Sequence, residues 1–413
     1  MTNGRQRSSR ALSAVLCGLA LAISTADPAA ADSIRNQQWS LEYLKAAELA
    51  TVSQGEGVTV AVVDTGVDAN HPDLTGSVLK GLDASREPDG RTDDFTGHGT
   101  AMASLIAGHG HGRGNADGVL GIAPKAKILP VRVGPRTGNG HPDELANGIL
   151  AAVEAGAKVI CVAAAGGATD NLQAAMAYGL YKGAIIIAGV GNTSDVPEIA
   201  WPAAYPGVVA VAGVQRDGTI STISAKGNYG GKITLAAPSD DIVSARLKGG
   251  YDTSTGTSNA TALVAGVAAV IKAKYPQETP AGILQRLRDS AVDRGDPGYD
   301  ERYGYGVIDP LAATAATVPK RAGASASPSP GSSRSPRVAA SPRAEPSAEA
   351  PKAVQIAALM LAFLAIPVVL GLLTMWFRRR MRRRSQPAAA DQWQPTRLPA
   401  IGERPDPNHD PYA

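Results

Sequence analysis

Cysteine is scarce in this chain of 413 residues, which contains only Cys17 and Cys161. Cys17 lies in an apolar N-terminal run with the features of a signal peptide, so the processed chain would keep one thiol. An odd thiol has no partner for an internal disulfide, which excludes a disulfide-stapled scaffold. Cys161 lies in a strand-like apolar run, and we expect it to be buried and to behave as a small hydrophobic side chain.

Clusters of metal-binding side chains are also lacking. His109 and His111 are close together, but no cysteine or third histidine is spaced to complete a zinc site. The surrounding glycine-rich loop, residues 108–118, offers only Asn115 and Asp117 as side-chain ligands for calcium. We therefore predict no metal and no other cofactor, while the sequence alone leaves calcium binding open.

Positive charge is concentrated in one place. The net charge is +3, and six arginines lie at positions 378–380 and 382–384. Without this cluster the chain would be acidic, so its basic balance does not indicate a nucleic-acid partner.

The arginine cluster directly follows residues 353–377, which carry no charge. This run exceeds the about 20 residues that are needed to cross a bilayer. Trp376 lies where an interfacial anchor is expected, and the arginines place this end in the cytoplasm by the positive-inside rule. A buried core helix is the alternative, which the charged flank disfavours. We predict one transmembrane helix at 353–377, followed by a basic, disordered cytoplasmic tail at 378–413.

The N-terminus predicts a secretory signal peptide at residues 1–31. Basic residues precede an apolar run at 11–22, and Ala29–Ala31 provide a small-residue cleavage site. The rest of the predicted organisation is a short N-terminal extension at 32–57 that packs on the folded domain, the domain at 58–316, and a linker rich in proline, serine and alanine at 317–352. This arrangement predicts a single-pass protein of the cell membrane with its domain outside.

Between these ends, apolar runs rich in β-branched residues alternate with helical patterns. The apolar runs predict buried strands at 58–63, 128–133, 159–164, 185–190 and 208–214. The helical patterns lie at 143–155, 172–182, 260–274 and 281–290. Continuous apolar strands that alternate with helices predict an α/β fold, a parallel sheet with helices on both faces. Ligands of such folds bind at the carboxyl ends of the strands.

Three short motifs carry candidate chemistry. Asp64 ends an apolar strand, His98 opens a helix between two glycines, and Ser258 precedes an apolar helix. A serine hydroxyl needs a base to take its proton, and the base needs an anion to fix its tautomer. Asp64 alone would be interpreted as a turn residue, but the three together predict a catalytic triad. The other nearby acids are interpreted as surface or turn residues: Asp68, Asp73, Asp93 and Asp94.

These motifs, with Gly191–Asn192 between the histidine and the serine, resemble those of the subtilisin family (subtilases). Residues 303–308 are similar to the closing segment of that family, and the resemblance spans about residues 39–313. It implies a subtilisin-like fold and a serine endopeptidase that works through an acyl-enzyme. It also implies that Asn192, by itself an ordinary turn residue, donates its side-chain amide to the oxyanion.

The overall layout is similar to the mycosins, membrane-anchored subtilases that accompany type VII secretion. This resemblance implies a protein or peptide substrate and a type VII secretion membrane complex as a partner. A structural subunit that braces such a complex is the alternative, and the complete triad favours activity. A lipase or esterase would need Gly-x-Ser-x-Gly, which the surroundings of Ser258 do not provide. The mycosins usually carry disulfides, and this chain departs from them there.

Two further departures from the family concern the site. Ala262 stands where a proline is usual, and alanine is easily accommodated in a helix. The strand that pairs with substrate usually reads Ser-Leu-Gly, and here the stretch is Ala163, Ala164, Ala165, Gly166, with its register open by one residue. If Ala165 replaces the glycine, its methyl group narrows the cleft. Gly189 is expected beside the reacting carbonyl, and we expect small or unbranched side chains before the scissile bond.

Overall fold

The computed structural model describes residues 33–86, 88–134, 142–192, 199–226 and 232–318. The predicted signal peptide, linker beyond residue 318, transmembrane helix and cytoplasmic tail lie outside these residues. Within them, every helix is too short or too polar to cross a membrane.

Eleven strands form in the described part of the chain. Their bounds are β1 (Thr59–Asp64), β2 (Leu82–Asp83), β3 (His109–His111), β4 (Asp117–Leu120), β5 (Lys127–Arg132), β6 (Val159–Val162), β7 (Ile185–Gly189), β8 (Val209–Val214), β9 (Leu235–Pro238), β10 (Ile242–Arg246) and β11 (Gly250–Ser254). Seven of them form one parallel sheet in the order β2-β5-β1-β6-β7-β8-β9. The pairs β3–β4 and β10–β11 are antiparallel and separate from it.

Nine α-helices accompany these strands in the same residues. They are α1 (Ser33–Gln37), α2 (Trp39–Tyr43), α3 (Ala46–Val52), α4 (His98–Ala107), α5 (Pro142–Glu154), α6 (Asp170–Tyr181), α7 (Thr257–Lys274), α8 (Pro280–Asp289) and α9 (Pro310–Ala313). Short 3₁₀ turns occur at Arg113–Asn115 and Leu247–Gly249.

The sheet is buried on both faces, as alternate residues of β1 show. Val60 and Val62 pack in one hydrophobic core with α4 and α7, while Ala61 and Val63 pack in a second core with α5 and α6. All four are fully buried. Because side chains alternate along a strand, a continuous apolar run is what a sheet with two covered faces requires. The predicted α/β fold is confirmed.

The five predicted strands and four predicted helices are all present, with shifts at their ends. The third predicted strand ends early, at Val162, which leaves 163–166 outside the sheet. Helix α7 begins at Thr257 rather than at 260, so Ser258 lies in its first turn. In the seven-stranded sheet the sequence pattern missed β2 and β9, because β2 has two residues and β9 reads Leu-Ala-Ala-Pro, with no β-branched side chain. It also missed the four strands of the two antiparallel pairs.

Cys161 is a free, fully buried residue of β6, opposite Val62 of β1. Burial raises the pKa of its thiol, and the nearby charge of Asp64 acts in the same direction. The thiol is therefore protonated and unreactive, as expected of a small hydrophobic side chain.

The short N-terminal extension packs against the domain through its apolar residues. Leu44 and Leu49 are fully buried, and Trp39 is 7% exposed. The indole Nε1 of Trp39 donates to the carbonyls of Asp240 and Asp241, at 3.1 and 3.2 Å. A buried indole needs such an acceptor, so Trp39 is both packed and satisfied.

The polar side chains of the extension fix it to strand β4 and the loop before it. Gln38 exchanges two hydrogen bonds with the backbone of Leu120, at 2.9 and 3.0 Å. The Nε atom of Arg35 donates to the carbonyl of Gly118 at 3.0 Å. The extension is therefore an integral part of the domain.

Replacing Trp39 tests this conclusion. Trp39→Ala should lower the free energy of unfolding by about 3–5 kcal/mol, because it removes a large buried side chain and leaves a cavity. The matched control is Tyr181→Ala, since Tyr181 is 86% exposed and a surface substitution usually changes stability by less than about 0.5 kcal/mol. Denaturant unfolding of the purified variants measures both. Equal effects of the two substitutions would show that the extension does not stabilise the domain.

Candidate active site

Asp64 is the last residue of β1, a central strand of the sheet, and is only 2% exposed. Its Oδ1 atom accepts a hydrogen bond from the backbone N–H of Thr65 at 2.8 Å. The same oxygen lies 2.7 Å from Nδ1 of His98. The acid and the histidine of the predicted triad are therefore in direct contact, across 34 residues of sequence.

Glycines allow the helix that carries His98 to approach the end of β1. Helix α4 begins at His98, and its N-cap Gly97 has a φ of 93°, which is unfavourable for other residues. A Cβ atom on Gly99 would lie 2.1 Å from the carbonyl oxygen of Gly66. Only hydrogen fits there, so the two glycine motifs pack backbone against backbone and bring His98 to Asp64.

The charge of Asp64 controls the protonation of His98. Its carboxylate holds the pKa of His98 above the ordinary value; burial of the ring opposes this shift, and the more distant charge of Asp94 adds to it. The His98 side chain remains 42% exposed towards the cleft. The arrangement stabilises an imidazolium and fixes Nδ1 as the donor to the carboxylate, which leaves Nε2 as the basic atom.

Ser258 lies at the second position of α7, and its Oγ donates to the carbonyl of Ala163 at 3.0 Å. Ser258 and His98 line the same cleft of about 390 Å³. Among the described contacts there is no hydrogen bond between Ser258 Oγ and His98. The structure thus places His98 and Ser258 on one cleft, with Asp64 buried behind His98 and the Ser258 hydroxyl turned towards Ala163.

Asn192 lies just beyond β7 and also lines this cleft. Its Oδ1 accepts from the backbone N–H and the hydroxyl of Thr257, at 3.1 and 3.3 Å. These bonds hold the amide oxygen at the start of α7. The Nδ2 atom is 3.7 Å from the position that a Cβ on Gly256 would occupy. The amide group therefore lies beside the first turn of α7, next to the serine.

The segment predicted to pair with substrate leaves the sheet beside Ser258. Ala163 contacts Ser258 through its carbonyl, whereas Gly166 exchanges two backbone hydrogen bonds with Trp201. Ala164 is half-buried and Ala165 is exposed. Gly166 is therefore already paired within the protein, which leaves the preceding alanines on the open side.

Gly189 packs beneath the start of α7. A Cβ there would lie 2.9 Å from Oγ1 of Thr261 and 3.0 Å from Oγ1 of Thr257. Glycine is thus required for the sheet to approach the helix that carries Ser258. Ala262 is fully buried within a helix that continues from Thr257 to Lys274, so alanine is accommodated where the family usually has proline.

Asp73 lies in a turn, as predicted, but it is buried rather than on the surface. The interpretation of Asp94 as a surface or turn residue is wrong, because Asp94 is buried and lies outside any turn. Asp94 accepts the backbone N–H groups of Gly97 and Thr100 at the start of α4. Asp73 accepts from Nδ1 of His111 at 2.6 Å. Asp94 lies three residues before the N-cap Gly97, outside the position where sequence preferences indicate a capping side chain, so the local sequence did not reveal its role.

The histidines of the glycine-rich loop have protein partners. His111 contacts Asp73, and the ring of His109 contacts the carbonyls of Gly110 and Thr75. Within the described ranges, no group of three or more His, Cys, Asp or Glu side chains is placed to hold a metal ion.

On this parallel α/β sheet, an acid at a strand end contacts a histidine at a helix start, and a serine at the start of a second helix lines the same cleft as that histidine. The chain belongs to the subtilase family, whose model matches residues 55–306, and is a serine endopeptidase by class. It is 36% identical to thermitase of Thermoactinomyces vulgaris over 238 residues, 57% of this chain and 82% of thermitase. It is 32% identical to fervidolysin of Fervidobacterium pennivorans over 322 residues, 71% of this chain but only 46% of fervidolysin.

Solved structures show the same relationship. The crystal structure of MycP1 with its N-terminal propeptide removed superposes with a TM-score of 0.60 at 30% identity, covering 68% of this chain and 98% of that one. MycP1 from Mycobacterium smegmatis superposes with a TM-score of 0.57 at 29% identity, covering 69% and 86%. Among subtilases, this chain is thus structurally similar to MycP1.

A methyl group at position 99 tests the close approach of the two glycine motifs. Gly99→Ala should lower the free energy of unfolding by about 1–3 kcal/mol, because its Cβ meets the Gly66 carbonyl. It should also slow fluorophosphonate labelling of Ser258 by about 10²-fold, since small displacements of catalytic groups are costly. Gly167→Ala is the matched control, because a Cβ there has no neighbour within 4 Å. Normal labelling of a stable Gly99→Ala variant would contradict the packing argument.

Proposed function

We propose that this chain is a membrane-anchored endopeptidase that cleaves peptide bonds outside the cell with Asp64, His98 and Ser258 as its catalytic triad. The observation that carries the proposal is the 2.7 Å contact between Asp64 and His98, because His98 lines the same cleft as Ser258. Family membership supplies the reaction class, and the geometry supports a role for each residue.

In the proposed reaction, Ser258 Oγ turns from the Ala163 carbonyl towards Nε2 of His98 and attacks the carbonyl carbon of the scissile bond. His98 takes the hydroxyl proton, and Asp64 stabilises the resulting imidazolium. The C–N bond then breaks, and His98 gives its proton to the departing amine. Water hydrolyses the acyl-enzyme by the same steps and regenerates Ser258.

The negative charge of the tetrahedral intermediate would be held at the start of α7. The backbone N–H of Ser258 lies in the first turn of this helix, where the helix dipole favours an anion. The Asn192 amide is held beside that turn through its oxygen, and we assign its –NH₂ group as the second donor. One such donor contributes about 10²–10³-fold to kcat in enzymes of this type.

The substrate would lie as an extended strand along Ala163–Ala165. β-Augmentation uses main-chain groups, so alanine side chains are compatible with it. The assignment of Ala163, Ala164, Ala165, Gly166 and Gly189 as substrate-binding residues remains a proposal. The methyl group of Ala165 supports a preference for small or unbranched side chains before the scissile bond.

The proposed membrane anchor is argued from the sequence, and the proposed partner is argued from the similarity to MycP1. The charge-free run at 353–377 and the arginines after it support one span with the domain outside. Similarity to MycP1, a mycosin, supports association with a type VII secretion complex. Together they support a protease that acts at the outer face of the membrane.

The pH dependence of catalysis tests the triad. Because Asp64 holds the pKa of His98 above its ordinary value, kcat/KM of the wild type should fall as the pH drops through that raised pKa and His98 becomes protonated. Asp64→Asn should move this acid limb to lower pH and reduce kcat by about 10⁴-fold. Peptide hydrolysis measured across pH reports both effects.

Ser258→Ala is the control for this experiment, since it removes the nucleophile and leaves the Asp64–His98 contact. It should abolish hydrolysis without unfolding the protein. Hydrolysis near the wild-type rate by purified Ser258→Ala protein would refute the assignment.

Protease accessibility tests the proposed orientation. With the outer envelope made permeable and the membrane sealed, added protease should cut within 317–352 and release the domain, because this segment is too poor in apolar residues to pack. A tag after Ala413 should stay protected until detergent is added. Digestion of the tag in sealed cells would place the C-terminus outside and reject the topology.

A further inference from the structure

The first turn of α4 is capped without any help from its N-cap residue, which is a glycine. Its first three backbone N–H groups instead find acceptors on other side chains. His98 N–H donates to Thr96 Oγ1 at 3.2 Å, Gly99 N–H to Thr65 Oγ1 at 3.1 Å, and Thr100 N–H to Asp94 Oδ2 at 2.8 Å. Unpaired donors at a helix start would otherwise need water. The cap is thus built from three separate side chains.

These side chains converge on the carboxylate of Asp94. The hydroxyl of Thr96 donates to that of Thr65 at 2.9 Å, and Thr65 in turn donates to Asp94 Oδ1 at 2.8 Å. The same Oδ1 accepts the N–H of Gly97 at 2.9 Å, and Oδ2 accepts the hydroxyl of Thr100 at 2.7 Å. Asp94 itself is 7% exposed. Removing it would leave the whole cap without its central acceptor.

The network also reaches the acid of the triad. Thr65 directly follows Asp64, and its backbone N–H donates to Asp64 Oδ1 at 2.8 Å. Thr65 therefore contacts Asp64 through its backbone, and Asp94 and Gly99 through its hydroxyl. One residue connects the end of β1 to the start of α4, and Asp94 holds that residue in place.

We infer that Asp94 is a positioning residue for the Asp64–His98 pair: its carboxylate fixes the end of β1 and the first turn of α4 relative to each other. The inference rests on the proposed function, because it concerns the orientation of the proposed general base. Asp94 acts through Thr65, Thr96 and Thr100. A general base must be held within about an ångström of its productive position, and a misplacement of that size costs about 10²-fold in rate.

Asp94 also influences His98 through its charge. Its carboxylate adds to the effect of Asp64 on the pKa of His98. The other charged side chains that line the cleft near His98 are Arg246 and Asp252, of opposite sign. Loss of the Asp94 charge should therefore lower the pKa of His98.

Asp94→Asn separates this role from a general contribution to stability. The asparagine keeps one acceptor oxygen and replaces the other with an –NH₂ group. In one orientation this –NH₂ group faces the Thr100 donors, and in the other it faces the Thr65 and Gly97 donors. Neither orientation restores the cap. Asp93→Asn is the matched control. It removes the same charge from the adjacent residue, whose side chain is 61% exposed and pairs with Arg91 at 2.9 Å.

With the full-length protein in detergent, Asp94→Asn should lower kcat about 10- to 100-fold, with KM changed by less than about threefold. The acid limb of the pH profile should move to lower pH. Asp93→Asn should match the wild type in all three. The pKa of His98, measured by NMR with ¹³C-labelled histidine and assigned with His98→Gln, should fall in Asp94→Asn even if the chain hydrolyses no tested peptide. This measurement separates failure of the inference from failure of the proposed function.

A second pair of variants covers the case in which Asp94→Asn does not fold. Thr65→Val removes the connecting hydroxyl and should lower kcat in the same way, while Thr65→Ser, which keeps it, should restore the wild-type rate. Wild-type kcat and an unshifted histidine pKa in folded Asp94→Asn would overturn the inference. So would equal activity of Thr65→Val and Thr65→Ser, or an Asp93→Asn variant as impaired as Asp94→Asn.

Discussion

The contact between the Asp64 carboxylate and the His98 ring depends on two stretches of backbone lying closer than side chains allow. Gly99 would place a Cβ 2.1 Å from the Gly66 carbonyl oxygen, and Gly66 would place one 2.6 Å from the carbonyl oxygen of Asp93. The strand end, the helix start and the loop before it are therefore in contact through main chain. This backbone packing brings the buried Asp64 carboxylate within hydrogen-bond distance of the partly exposed His98 ring.

The sequence predicted the parts of the structure that local pattern determines. Apolar runs located the central strands because both faces of the sheet are covered, and glycines on either side of His98 marked the helix that it opens. The direction of the Ser258 hydroxyl was not predictable, since its acceptor, Ala163, is 95 residues away. The burial of Asp73 was missed for the same reason, because its partner His111 lies 38 residues further along the chain.

Three buried aspartates near the site show that partners determine what a carboxylate does. Asp64 meets an imidazole that faces the cleft, Asp73 meets one outside it, and Asp94 meets only hydroxyls and backbone N–H groups. All three are the same residue type, although Asp64 ends a strand, Asp73 lies in a turn and Asp94 lies in a loop. The three-dimensional arrangement distinguishes the acid of the proposed triad from a structural pair and from a helix cap, which explains why the sequence analysis did not anticipate the buried partners of Asp73 and Asp94.

The loop that supplies Asp94 is itself held by ion pairs to a buried arginine. Arg132, in register with Asp64 on the neighbouring strand, contacts Asp83 at 2.7 Å and Asp89 at 2.6 Å. Burial raises the pKa of Asp83, but hydrogen bonds from Ser85, Arg132 and Gly90 outweigh it and hold the value at about 2. A lowered carboxyl pKa stabilises the fold above the ordinary value of 3.8 and loses that effect as the pH falls towards 2. Since His98 is already protonated and inactive in that range, the loop remains anchored throughout the pH range in which the base can act.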